Sequence, residues 1–291
     1  MCAKSTDLET ENRRVPFGIN SLDRTYGGIP EGSLVLLKGE TDSGALAFSY
    51  TTASMLSLAK QNPDLFYKYV GTEVGDRKIP DDIHYVSLTR RRKTVLNEVK
   101  SVVNKPMYDS FARTVEFTNF SHIYLKDIPL PQSLLNGNAG YSKTEDKEGL
   151  LDRVISGPQN EDLLAELSDY FDQNLDNSLV ILDSLTELIE ATNFELTWED
   201  VFGFLVALRK RSRDSDGLIY LLFNRAPHSY DEIASIPDGV INFETEESGL
   251  EFRRTLHVGS FRGLMTEETP RKYETVVKKT GFEVSNVRRI L

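Results

Sequence analysis

The sequence predicts an α/β protein: a mostly parallel central sheet flanked by helices, with an antiparallel C-terminal β extension. Three observations carry this. Continuous apolar runs of strand length, such as residues 33–39 and 178–182, alternate with helical patterns over the first two thirds of the chain. The last third changes to shorter segments joined by Glu-Ser-Gly and Lys-Thr-Gly turns. Two glycines, Gly39 and Gly44, stand between the first buried strand and the helix after it.

Taken in order, residues 15–32 are rich in glycine and proline and read as loops around a short helix at 21–26. A buried strand follows at 33–39. Residues 44–61 form a helix, with Ala45, Phe48, Thr52, Met55, Leu56 and Ala59 on one face, ending near Asn62-Pro63. A strand is expected at 83–88, a basic helix at 93–103 and a third strand around 121–125. Residues 126–159 dissolve into Pro, Gly, Asn, Lys and Asp and read as a loop insertion, with a short helix near 149–155. Leu163, Leu164, Leu167, Tyr170 and Phe171 give a helix over 160–174 one apolar face. The next buried strand is 178–182. Thr197 and Asp200 make an approximate capping box for a helix reaching about Arg213, with Val201, Phe204, Leu205 and Leu208 inward. Strands at 218–223, 240–244, 250–261, 272–277 and 282–287 complete the order. Residues 1–12 are expected to be a flexible tail and 13–291 a single domain.

Composition narrows the function classes. The chain has 291 residues, 39% hydrophobic and 27% charged, enough for a full core without disulfides. Its single cysteine, Cys2, excludes an internal disulfide and a cysteine-based zinc site. With 45 acidic residues against 34 basic, the net charge of −11 counts against a nucleic-acid binder, whose affinity comes from neutralising phosphates. No run approaches the roughly 18 apolar residues of a membrane span, and the start carries no apolar signal region. The expectation is a cytoplasmic protein with no membrane or nucleic-acid partner.

The most informative stretch is Gly39-Glu40-Thr41-Asp42-Ser43-Gly44-Ala45-Leu46. A phosphate-binding loop needs glycine, four residues, glycine, lysine, then serine or threonine, set between a strand and a helix. The glycines and the setting are present. Ala45 stands at the lysine position and Leu46 at the hydroxyl position. The lysine would put a positive charge on terminal phosphates, and the hydroxyl would ligate Mg²⁺. The backbone nest and helix N-terminus still favour an anion, while Asp42 disfavours one. A hydrogen bond to a charged group is worth about 1.5–3 kcal/mol, so the lysine's loss alone weakens nucleotide binding by roughly ten- to a hundredfold. The octet by itself reads more readily as a tight strand–helix turn; the residues around it reverse that.

The residues leading into that loop carry a resemblance. Gly18, Ile19, Leu22, Asp23, Gly27, Gly28, Ile29, Pro30 and Gly32 match the opening of KaiC-type members of the RecA superfamily, which runs into the first core strand and its phosphate loop. The likeness extends over about residues 15–291 and implies a RecA-like fold. Residues 179–190 resemble the family's Walker B segment, with Asp183 ending an apolar strand. Such an aspartate holds the Mg²⁺ shell, but its usual partner position is Leu46.

The chain departs from the family after the second core strand. There Thr89 and Arg90 replace paired glutamates that activate the attacking water, and neither is a general base at neutral pH. Arg90, Arg91, Arg92 and Lys93 form a basic cluster at a helix start, where cations oppose the macrodipole. It reads either as a solvated surface or as an anion or acidic-partner site, with Asp183 one candidate carboxylate. Asn224 ends a strand where the family often places a phosphate sensor, or simply caps a loop. Arg262 lies in a segment like the family's Lys-x-Arg-Gly, whose cations reach a neighbouring subunit's nucleotide, with Ser260 replacing the lysine; a strand-edge cation is the plainer reading. No histidine spacing suggests a metal, and no serine sits in a nucleophile elbow.

The resemblance thus implies a catalytically degenerate, non-hydrolysing P-loop protein without catalytic residues, acting as a regulatory or protein-interaction module. The alternative is a weak ATP-binding protein, a silent subunit in a mixed ring with an active paralogue. No cofactor other than weakly bound ATP is implied. The expected partner is a protein, either a second copy or an active paralogue. The resemblance also suggests an archaeal setting among divergent, transducer-like ("HTR-like") paralogues.

Overall fold

A computed structural model describes residues 13–40, 42–71, 77–125, 163–193, 196–224, 230–248, 251–263 and 272–287. The expected N-terminal tail, the insertion at 126–159 with its helix near 149–155, and Thr41 lie outside these residues.

Six strands run parallel: β3 (Leu34–Gly39), β4 (Ile83–Ser87), β5 (Glu116–Asn119), β6 (Leu179–Asp183), β7 (Leu218–Phe223) and β8 (Gly239–Ser248). β9 (Glu251–Phe261), β10 (Lys272–Lys278) and β11 (Gly281–Val287) extend the sheet antiparallel from β8. The order is β11-β10-β9-β8-β3-β7-β6-β4-β5. β1 (Arg14–Val15) and β2 (Ile29–Pro30) form a separate antiparallel pair. β3 sits between β7 and β8, so the loop after it opens at the point where strand order reverses, the usual ligand position in such sheets.

The central strands are apolar because both faces are covered. Val35 and Leu37 face one cluster, with Phe48, Leu56, Val95, Val99 and Phe111 from the helices Ala45–Gln61, Arg92–Val102 and Lys105–Thr114. Leu34 and Leu36 face the other, with Leu167, Phe171, Val201 and Leu205 from the helices Leu163–Asn174 and Trp198–Asp214. No helix among the described residues is long and apolar enough to cross a membrane.

The N-terminal glycine-rich motif is a structural brace. The fully buried Asp23 carboxylate accepts from the Phe17 and Ile19 amides, at 2.8 and 3.1 Å, and pairs with Arg77 at 3.2 Å. Gly28, at φ 95°, lies so close to the Val15 carbonyl that a Cβ would come within 2.7 Å of it.

Several boundaries differ from expectation. The strand expected at 121–125 is a short helix, Ser121–Tyr124, while the strand is Glu116–Asn119. Phe120, Ile123 and Tyr124 are buried at helical spacing, whereas the edge strand offers only Phe117 as an apolar signal. Pro63–Val70 is a further helix, restarted by Pro63 in its first turn and by Asn62, whose side chain accepts from the Leu65 amide. Asn104 caps another unexpected helix, Lys105–Thr114, in the same way. The capping box of Thr197 and Asp200 is present in full.

Candidate functional site

The loop 39–46 leaves β3 at the C-terminal edge of the sheet. Gly39 is required there: a Cβ would collide with Ser43 Oγ and come within 2.8 Å of Phe243 Cβ. The Ser43 amide donates to the Glu40 carbonyl at 3.0 Å, closing the turn. Gly44, at φ 109°, precedes the helix Ala45–Gln61 and is overlain by the Phe282 ring. Ala45 is buried, and Leu46 packs against the apolar core rather than offering a polar group to the loop.

Asp183 ends β6 opposite Ser87 in β4, with 1% of its surface exposed. That register places Arg90, three residues past Ser87, over the carboxylate. Arg90 Nε lies 3.3 Å from Asp183 Oδ2, which also accepts a 2.6 Å hydrogen bond from the Tyr85 hydroxyl. Arg90 Nη1 bonds Glu98 Oε2 at 2.8 Å, and the Tyr50 hydroxyl donates to the same oxygen at 2.7 Å. The Arg90 backbone is fixed as well. Its amide donates to Ser87 Oγ at 2.9 Å, and its carbonyl accepts from Asn119 Nδ2.

The electrostatics follow from burial and this pairing. Burial opposes the Arg90 charge, but the Asp183 carboxylate, Tyr85, Tyr50 and Glu98 together raise its pKa. Burial raises the Asp183 pKa, against the pull of Arg90 and the Tyr85 hydrogen bond. Both tyrosine hydroxyls are pushed upward, chiefly by burial, and stay protonated donors. Burial also raises the pKa of Glu187, in the first turn of the helix Leu185–Glu190, with Asp183 adding to the effect. Glu187 Oε1 stands 3.4 Å from the Thr89 hydroxyl. Asp183 Oδ1, Ser184 Oγ and Glu187 Oε2 are enclosed without hydrogen-bond partners.

The basic cluster is divided. Arg90 turns inward, while Arg91, Arg92 and Lys93 are exposed. Arg92 Nη2 bonds the Ala112 carbonyl at 3.2 Å, away from the loop. The Asn224 amide donates to Thr186 Oγ1 at 2.9 Å, which ties the end of β7 to the segment after Asp183. Arg262 does not join this group. Phe261 pairs with Gly239 and Gly239 with Val35, so Arg262 lies at the opposite edge of the sheet. Among the described residues, no three His, Cys, Asp or Glu side chains form a metal-holding group.

Sequence reasoning missed four contributors. Tyr85 lies in a doubly covered strand, where its hydroxyl must find a partner; that partner is Asp183. Tyr50 and Glu98 complete the network from two helices. Arg254 arrives from β9: its Nε donates to the Asp42 carbonyl at 2.7 Å, because β9 runs past the end of β3. No local pattern announces a contact across 212 residues of chain.

No protein-family model and no curated protein matches the chain. Among solved structures it is similar to a KaiC-like protein from the hyperthermophilic archaeon Pyrococcus horikoshii OT3. The TM-score is 0.59 at 16% identity, covering 94% of this chain and 99% of that one. The fold is thus the mostly parallel, RecA-like α/β architecture of that neighbour, with an antiparallel C-terminal extension.

Proposed function

We propose that this chain is a catalytically degenerate P-loop protein of the KaiC-like type, a non-hydrolysing module that acts through regulatory or protein contacts. The observation that carries this reading is the ion pair of Arg90 with Asp183. The aspartate that would hold a Mg²⁺ shell is instead neutralised by a cation from the position where the family carries a water-activating glutamate. A divalent cation at the remaining Asp183 Oδ1 would share one carboxylate with that guanidinium and be repelled by it, and Leu46 offers no hydroxyl beside it, so Mg²⁺-nucleotide does not fit the residues present. Ala45 and Leu46 add no charge and no hydroxyl. Removing one charge-stabilising group commonly costs about 10²–10³ in rate, so several together leave negligible turnover.

Arg254 supports a second reading. It brings a cation to the loop, which favours weak, metal-independent ATP binding by backbone amides, as in a silent subunit paired with an active paralogue. Under either reading we place the chain in the cytoplasm, with a protein partner and no membrane or nucleic-acid partner. The sequence resemblance supports an archaeal, transducer-like paralogue.

An ATPase assay on the purified chain tests the proposal. No hydrolysis above background is expected. A turnover near about one per minute, abolished by Asp183→Asn, overturns it.

A further inference from the structure

The helix Trp198–Asp214 has two apolar faces, and the core uses only one. Val201, Phe204, Leu205 and Leu208 are buried beneath it. On the outward face, Phe202 is 38% exposed and Val206 48%, one turn apart. Among the described residues, the other large exposed apolar side chain is Phe252. Gly203 and Ala207 complete the stripe; a Cβ at Gly203 would meet nothing within 4 Å. Glu199 bounds the stripe at one end and Lys210 at the other, both exposed. Isolated apolar side chains on a surface need no explanation, but a contiguous stripe marks an interaction site.

We propose that this face pairs with the same helix of a second copy of the chain, antiparallel about a two-fold axis. The argument is self-complementarity. A two-fold axis level with Phe204 and Leu205 sets Gly203 opposite the partner's Val206 at the centre of the seam, with Phe202 and Ala207 on its two flanks. Each Val206 meets a Gly203, which lets the helices approach closely. The same operation sets Glu199 against the partner's Lys210, and Lys210 against the partner's Glu199. A two-fold interface demands this reciprocity, since one patch must complement itself. Arg209 and Arg211, beside Lys210, are paired with Asp238 and with Asp172 and Asp176. Neither Glu199 nor Lys210 has an ion-pair partner among the described residues. A single helix pair falls below the size of a standard stable interface, so the dimer is weak and concentration-dependent.

Sedimentation equilibrium of the full chain from about 1 to 500 µM tests this. The unaltered protein is expected to dimerise within that range, and Val206→Asp to abolish the dimer. Glu199→Lys alone and Lys210→Glu alone each create two like-charge contacts and weaken it roughly tenfold. The double exchange recreates the pairs with reversed sign and is expected to restore affinity within about threefold. Both exchanges are at solvent-exposed positions, so the rescue separates pairing from misfolding. A chain that stays monomeric throughout, a dimer indifferent to Val206→Asp, or a double exchange no better than the singles overturns the proposal.

Discussion

Arg90 and Asp183 form an ion pair at the C-terminal edge of the sheet, 3.3 Å from Nε to Oδ2, with the aspartate enclosed and the arginine three-quarters covered. Its components come from adjacent strands whose register places Ser87 beside Asp183. Tyr85 from below and Glu98 from the side hold the two groups in place. The pair is therefore built into the fold rather than laid over it.

Breaking the pair from the cationic side leaves a buried charge behind. Arg90→Ala is expected to destabilise the protein by about 3–5 kcal/mol near neutral pH. The deficit shrinks as pH falls towards about 4, because the raised Asp183 pKa lets the carboxyl take a proton in the folded state. Arg90→Ala with Asp183→Asn is expected to recover most of the loss. Urea unfolding of the three proteins at two pH values checks this; equal deficits for the single and double variants contradict it.

The loop's missing groups can be put back. Ala45→Lys with Leu46→Thr is expected to raise ATP affinity roughly ten- to a hundredfold, read by fluorescence of a labelled nucleotide. Hydrolysis is expected to stay absent, since Thr89 and Arg90 remain. A folded double variant with unchanged affinity shows that the loop does not cradle phosphate.

Asp23 supplies a pH signature away from the site. Burial is the largest influence on its carboxyl and lifts its pKa from 3.8 to about 6, against the Phe17 amide, Arg77 and the Ile19 amide. A carboxyl raised in the folded state contributes stability that is fully present below about pH 4 and is lost as pH rises through about 6. Its share is at most about 3 kcal/mol. Unfolding midpoints measured across this window are expected to fall more steeply for the unaltered chain than for Asp23→Asn. Parallel curves contradict the assignment.

Much of the fold was legible because the buried strands are apolar on both faces and their helices carry one-sided patterns. Val35, Ile181 and Leu221 announced β3, β6 and β7 directly. Glu116–Asn119 did not, because an edge strand buries little and shows no run. Within the site, the altered loop positions could be named from spacing, and Asp183 and Arg90 from the resemblance to KaiC-type proteins. Tyr50, Glu98 and Arg254 could not, because tertiary packing, rather than local sequence, brings them together.

Isothermal titration of the full chain with ATP, with and without Mg²⁺, tests most directly whether Asp183 is withdrawn from metal chemistry. The pairing with Arg90 predicts weak or undetectable binding that Mg²⁺ does not strengthen and that Asp183→Asn leaves unchanged. ATP binding tightened about tenfold or more by Mg²⁺, and lost in Asp183→Asn, contradicts it.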